Sequence, residues 1–187
     1  MTAPTKLDRD RATLLVIDMQ EAFRRLPGFD AIARASATLA RGAGALGVPV
    51  VVTEQYPKGL GETVPEVAEA LPSEVHPLDK VVFSAPEADG FDLGGRDQAL
   101  ICGIEAHVCV NQTTLDLLAA GVEVHVASDG VGSRFDSNKQ VGLHRMERAG
   151  AVITSVETAL FELVGRAGTD EFKQIQGLVL DYAPNPT

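Results

Sequence analysis

Residues 98–121, QALICGIEAHVCVNQTTLDLLAAG, contain a change of period that decides the architecture. Ala99, Leu100, Ile101 and Cys102 form a continuous apolar run, the pattern of a parallel strand buried on both faces. After Gly103 the spacing turns helical, with Val108, Leu115, Leu118 and Ala119 on one stripe and Asp116 off it. Cys109 therefore falls in the first turn of a helix, just past the carboxyl end of a strand. Open parallel sheets place ligand sites there, and the unpaired amides and positive end of a helix favour a thiolate. Two readings stay open for Cys109, a nucleophile or a small buried hydrophobe, whereas Cys102 in mid-strand reads as the latter.

Toward the amino terminus, residues 12–17, ATLLVI, read as another doubly buried strand ending at Asp18. Residues 21–29 contain Pro27-Gly28 and read as a loop, and Phe29–Leu46 has the alanine-rich spacing of a helix closed by Gly47. Residues 48–53, VPVVVT, form the next strand, and Glu54, Gln55, Tyr56 and Pro57 follow at the same rim. Residues 57–63 read as a glycine-containing loop, with Thr63 expected to cap a short helix through the capping-box spacing to Glu66. Residues 76–84, HPLDKVVFS, are the least periodic part, and Lys80 could end one extended piece or begin another. Residues 86–97 are rich in Gly and Asp, with Phe91 and Leu93 as anchors, and barely supply the length of a crossover.

Toward the carboxyl terminus, residues 122–127, VEVHVA, read as a strand that opens at Ser128. Asp136 or Ser137 can cap a helix running through Arg148. Residues 151–154 give a short strand, Ser155 and Thr158 begin the next helix, and residues 171–180 form a final helix expected on the domain edge. Six strands alternating with helices predict an α/β fold, a three-layer α/β/α sandwich with a six-stranded parallel sheet. The expected unit is a single domain over residues 1–187 with its core at 12–180.

Composition narrows the function classes. The 187 residues are 45% hydrophobic and carry a formal net charge of -10 without a basic run, which argues against nucleic acid or an anionic membrane as partner. Two cysteines are too few for a disulfide framework, no apolar stretch approaches the length of a membrane span, and no targeting segment is visible, so a cytoplasmic location is expected. Gly42, Gly44 and Gly47 form neither a dinucleotide fingerprint nor a phosphate loop. His76, His107, His125 and His144 lack metal-ligand spacing.

Several residues share the predicted carboxyl rim of the sheet. Asp18 is either a local cap or a general base, and Lys80 either a solvated lysine or part of a site. Glu105 is either a carboxylate supporting Cys109 or a partner for Arg134. Arg134 could clamp a carboxylate-bearing substrate, or pair with Glu105 or Asp129. Gln20, Phe23, Tyr56, Phe83 and Phe135 are candidate pocket wall by position alone.

The segments LLVIDMQEAF (14–23), TEQYPKGLG (53–61), Lys80 ahead of VVFSA, GIEAHVCVNQTTLDLLAAG (103–121) and VHVASDGVGSR (124–134) together resemble the isochorismatase-like cysteine hydrolase superfamily. The resemblance covers roughly residues 12–180 and is strongest to isochorismatase-domain hydrolases. It implies an Asp18, Lys80, Cys109 catalytic triad and a cis peptide between Ile104 and Glu105. It also implies an oxyanion held by the Cys109 and Val108 amides, no cofactor, and a homo-oligomer of at least two chains. Nicotinamidases of this superfamily carry an aspartate and histidine metal pattern after the second strand; here Thr53-Glu54-Gln55-Tyr56-Pro57 has no histidine, so no metal is expected. The implied activity is metal-independent hydrolysis of a small amide, ureido or carbamoyl compound through an acyl-cysteine. The alternatives are isochorismatase-type vinyl-ether hydrolysis, or a non-catalytic oligomeric interaction protein that retains the fold.

Overall fold

Strand β1 (Ala12–Ile17) sends Leu14 and Val16 into one apolar cluster and Leu15 and Ile17 into a second, the two-residue period of a strand covered on both faces. The computed structural model describes residues 6–182, so residues 1–5 and 183–187 of the expected domain lie outside the described residues. β1 is joined by β2 (Val50–Gln55), β3 (Leu78–Lys80), β4 (Gln98–Ile104), β5 (Glu123–Gly132) and β6 (Val152–Thr154). They form one sheet in the order β3-β2-β1-β4-β5-β6, and every pairing is parallel.

The helices are α1 (Phe29–Leu46), the one-turn α2 (Pro57–Leu60) and α3 (Pro65–Ala68), then α4 (Cys109–Ala119), α5 (Asp136–Ala149), α6 (Val156–Val164) and α7 (Asp170–Tyr182). Phe29, Ile32 and Leu39 of α1, Leu160 of α6 and Ile175 of α7 cover the first cluster. Val110 and Leu117 of α4 and Met146 of α5 cover the second. Burying each large side chain contributes about 1.5–3 kcal/mol, so the two clusters hold the three layers together.

Several boundaries differ from the sequence reading. The second strand starts and ends two residues later than expected, which carries Gln55 into the sheet. Residues 21–25 make a short 3-10 helix, and α2 is a turn of helix within the expected loop. Val64, not Thr63, precedes α3, because the Thr63 amide and hydroxyl both donate to Glu54 Oε1 at 2.6 and 2.7 Å. α5 is preceded by Phe135 and has no side-chain cap, with Asp136 as its first residue, whereas Ser155 caps α6 by accepting from the Thr158 amide as expected. α7 packs into the first cluster through Ile175 and Val179. β5 runs on to Gly132, where the expected strand opened at Ser128, because its register against β4 shifts between Ile101 and Gly103. At that shift Gly103 has φ +115, and a Cβ there would fall on the Ile17 carbonyl oxygen of β1. Only glycine allows the two strands to approach so closely.

Candidate active site

The chain winds outward in both directions from the β1/β4 pair, so the topological switch point of the sheet lies between the carboxyl ends of those two strands. Asp18 follows β1 directly and adopts φ 52, a left-handed conformation that aspartate tolerates better than most side chains. Cys109 begins α4 after β4, and the Ile104–Glu105 peptide between them is cis. The parallel registers Ile17↔Thr53 and Gln55↔Lys80 then bring the ends of β2 and β3 to the same place.

Asp18 and Lys80 form a buried ion pair, Nζ to Oδ2 2.8 Å, with side chains 1% and 0% exposed. The other Asp18 oxygen accepts from Thr53 Oγ1 at 2.7 Å. Lys80 Nζ also donates to Gln55 Oε1 at 2.6 Å and to the Val82 carbonyl at 3.4 Å, so all three of its protons have acceptors. Two charges taken from water repay their desolvation only with such complete pairing. Cys109, itself buried, donates its thiol to the same Gln55 Oε1 at 3.9 Å.

The helix-end argument predicted a thiol poised as thiolate, and the site corrects it. Burial pushes the Cys109 thiol up to about 12, the Asp18 charge adds to this, and Lys80 offsets only part of it. Burial and the Asp18 charge thus work against a thiolate at rest. Cys102 is likewise pushed up to about 12, by burial foremost, and lies in the first apolar cluster on the opposite face of the sheet.

The oxyanion expectation also changes. The Val108 amide donates to the Glu105 carbonyl at 2.9 Å and is already committed. Cys109, as the first residue of α4, keeps an amide with no intrahelical acceptor.

Arg134 resolves to its structural alternative. Its guanidinium binds Glu105 through Nε at 3.1 Å and Nη2 at 2.8 Å, and its backbone amide adds a third bond at 2.9 Å. Burial by itself would raise the Glu105 carboxyl, but the Arg134 side chain, amide and charge together hold it below its usual range. Glu105 and Arg134 thus tie the end of β4 to the end of β5.

The expected pocket wall divides. Tyr56, Phe83 and Phe135 stand at the rim, 54%, 49% and 63% exposed. Phe23 instead packs against the first apolar cluster, away from the cluster that contains Cys109. Gln20 is fully buried, and its amide is consumed by the Gln55 amide at 2.8 Å, the Gln55 carbonyl at 3.0 Å and the Gly61 carbonyl at 2.7 Å. It braces the 55–61 loop and is no free pocket wall. Thr53 and Gln55 were not singled out from sequence as site residues, although Gln55 follows the second apolar run at the rim shared with Asp18, which was a usable signal.

A cavity of about 560 Å³ lined by Gly44, Val48, Val50, Pro72, Val75 and Leu78 lies at the amino ends of β2 and β3, away from this chemistry. No group of three or more His, Cys, Asp and Glu able to hold a metal ion occurs among the described residues.

A doubly wound parallel sheet with a cysteine opening the helix at its switch point, beside a buried lysine-carboxylate pair, defines an α/β protein of the cysteine-hydrolase type. The chain belongs to the isochorismatase family: its residues 12–158 match the isochorismatase domain. It is 44% identical over 177 residues to isochorismatase domain-containing protein 2 of Macaca fascicularis, covering 92% of this chain and 84% of that protein. Among solved structures it is similar to the MAR1 ribonuclease of Caenorhabditis elegans, with TM-score 0.90, 38% identity and 97% and 95% of the two chains covered. It is also similar to YcaC from Pseudomonas aeruginosa, solved with hexane-2,5-diol and covalent acrylamide, with TM-score 0.84, 25% identity and 97% and 96% covered.

Proposed function

We propose that this chain is a metal-independent cysteine hydrolase of a small amide, ureido or carbamoyl compound. The observation that carries the reading is the convergence of Asp18, Lys80 and Cys109 at the switch point, with the carboxylate and ammonium shielded from water. As Cys109 sulfur attacks the electrophilic carbon, its proton passes to Asp18, and the developing oxyanion is met by the Cys109 amide. Asp18 then returns the proton to the departing nitrogen, leaving an acyl-cysteine. A water activated by Asp18 releases the acid and restores the thiol. Lys80 balances the negative charge as it moves between carboxylate and sulfur.

Covalent acrylamide in the Pseudomonas aeruginosa relative is consistent with a nucleophilic side chain in a protein of this fold, since acrylamide bonds through its vinyl carbon, and it carries no argument for an amide substrate. Vinyl-ether hydrolysis would leave Cys109 without a task. The ribonuclease name of the nematode relative points to another substrate, but a net charge of -10 opposes a polyanion. The exposed Tyr56, Phe83 and Phe135 support a homo-oligomer, at least a dimer, in which apolar rim surface is covered.

The test is a panel of amides, ureides and carbamoyl compounds, with isochorismate and RNA included, on wild type and Cys109→Ser. Expected are amine or ammonia release, an acyl adduct on wild type by intact mass, and loss of both in Cys109→Ser. Turnover should survive exhaustive chelation. Consumption of isochorismate or RNA alone, unimpaired in Cys109→Ser, overturns the proposal. Light scattering that returns only the 19.7 kDa monomer rejects the oligomer.

A further inference from the structure

The Gln55 side chain, which is neutral, touches both the buried ammonium and the thiol. We propose that it is a positioning residue that holds Cys109 in its protonated state until substrate arrives, an inference that rests on the cysteine-hydrolase reading above. Its Oε1 is an acceptor only, and it receives Lys80 Nζ at 2.6 Å and Cys109 Sγ at 3.9 Å. A thiolate facing that oxygen would set lone pair against lone pair, so the contact favours S–H over S⁻.

The amide cannot reverse without cost. Gln55 Nε2 donates to the Val81 carbonyl at 3.1 Å, and a flipped amide would turn its NH₂ toward the Lys80 ammonium. The backbone of Gln55 is clamped in turn by Gln20, which accepts from its amide and donates to its carbonyl. The charged groups acting on the thiol are Asp18 from the end of β1 and Lys80 from β3, and Gln55 lies on β2 between those strands.

The device separates storage from use. In the resting site the sulfur keeps its proton, and the thiol form is poorly reactive toward oxidants and stray electrophiles. When a carbonyl carbon displaces the Gln55 contact, the S–H bond breaks as the S–C bond forms and the proton moves to Asp18. No oxidant or further reactant is needed.

The test reads the thiolate directly, by ultraviolet absorbance from neutral pH to the onset of alkaline unfolding, as the difference between each protein and its Cys109→Ala counterpart. Gln55→Met removes the acceptor at similar volume and should show roughly five-fold more thiolate at a given pH, the size of one net hydrogen bond. Gln55→Glu keeps the acceptor but adds a negative charge beside the sulfur, and should show less thiolate than wild type. Opposite signs support the proposal; the same sign, or either variant indistinguishable from wild type, overturns it. Should Gln55→Met fail to fold, Gln55→Glu decides alone, with less thiolate in favour and equal or more against. The readout needs no substrate, so turnover that persists in Cys109→Ser would sink the hydrolase reading without touching this result.

Discussion

The two ends of the same strands carry the same kind of pair in opposite surroundings. At the amino ends, Arg11 ahead of β1 binds Asp97 ahead of β4 at 2.8 Å, and reaches Glu123 of β5 at 3.4 Å, with Arg11 and Asp97 side chains 40% and 64% exposed. At the carboxyl ends, Lys80 binds Asp18 at the same 2.8 Å with both side chains within 1% of complete burial. Equal distances hide unequal energetics. Water screens the first pair, so it adds little to stability; the second has traded hydration for mutual attraction and fails if either member goes. A fold assembled for stability alone has no need of a buried lysine, and this one stands at the switch point beside a thiol, where the proposed chemistry is placed.

The largest effect should come from removing one buried partner. Lys80→Met leaves the Asp18 carboxylate buried and unpaired, and is expected to cost about 3–5 kcal/mol in urea unfolding. Adding Asp18→Asn to it should recover much of that loss while activity stays absent. Equal destabilisation by the single and double variants would show that the pair is not what the fold depends on.

A second effect separates both cysteines from the surface charges. Each thiol is pushed up to about 12 when folded, against about 8.5 in an open chain. A raised folded pKa means that the unfolded chain loses its proton first, so the contribution is whole below about 8.5 and is lost as pH rises toward 12. Stability should fall by up to about 2 kcal/mol per thiol between pH 8.5 and roughly 10, and Cys102→Ala should remove one share. Iodoacetamide should accordingly label Cys109 slowly near neutral pH and faster as pH rises; rapid labelling at neutral pH would restore the thiolate picture.

A smaller effect is expected at the rim, where the pairing is half in water. Arg134→Ala should cost about 1 kcal/mol, discounted because the guanidinium side chain is 61% exposed. The carboxyl of Glu105 is held below its usual range, so its contribution is present above the usual carboxylate pKa and is lost as pH falls through the folded value. The variant should therefore show a flatter decline in stability on acidification than wild type. Smallest of all, Arg11→Ala should leave the unfolding midpoint unchanged within error, which a clear shift would contradict.

Much of this was legible in the chain. The apolar runs at 12–17 and 99–102 are buried strands because a parallel sheet covered on both faces admits little else, and Gly103 sits where a Cβ would strike β1. Asp18 and Cys109 stood out because each breaks its pattern at a strand end. Lys80 was harder to place, since three residues of edge strand carry almost no period, and its burial depends on Gln55 and Asp18 from strands far away in sequence.

What the sequence by itself determined is therefore the local grammar: strand, turn and helix, their alternation, and the polar residues stranded at apolar ends. Those follow from periodicity and chain stiffness, which act over a few residues. The tertiary structure decided the state of those residues. It alone set burial and the Asp18 charge against the expected Cys109 thiolate, committed Arg134 to Glu105 and the Val108 amide to a turn, and spent Gln20 on bracing a loop. Desolvation and hydrogen-bond occupancy depend on which distant side chains arrive at the same point, and that is a property of the packed sheet, not of spacing along the chain.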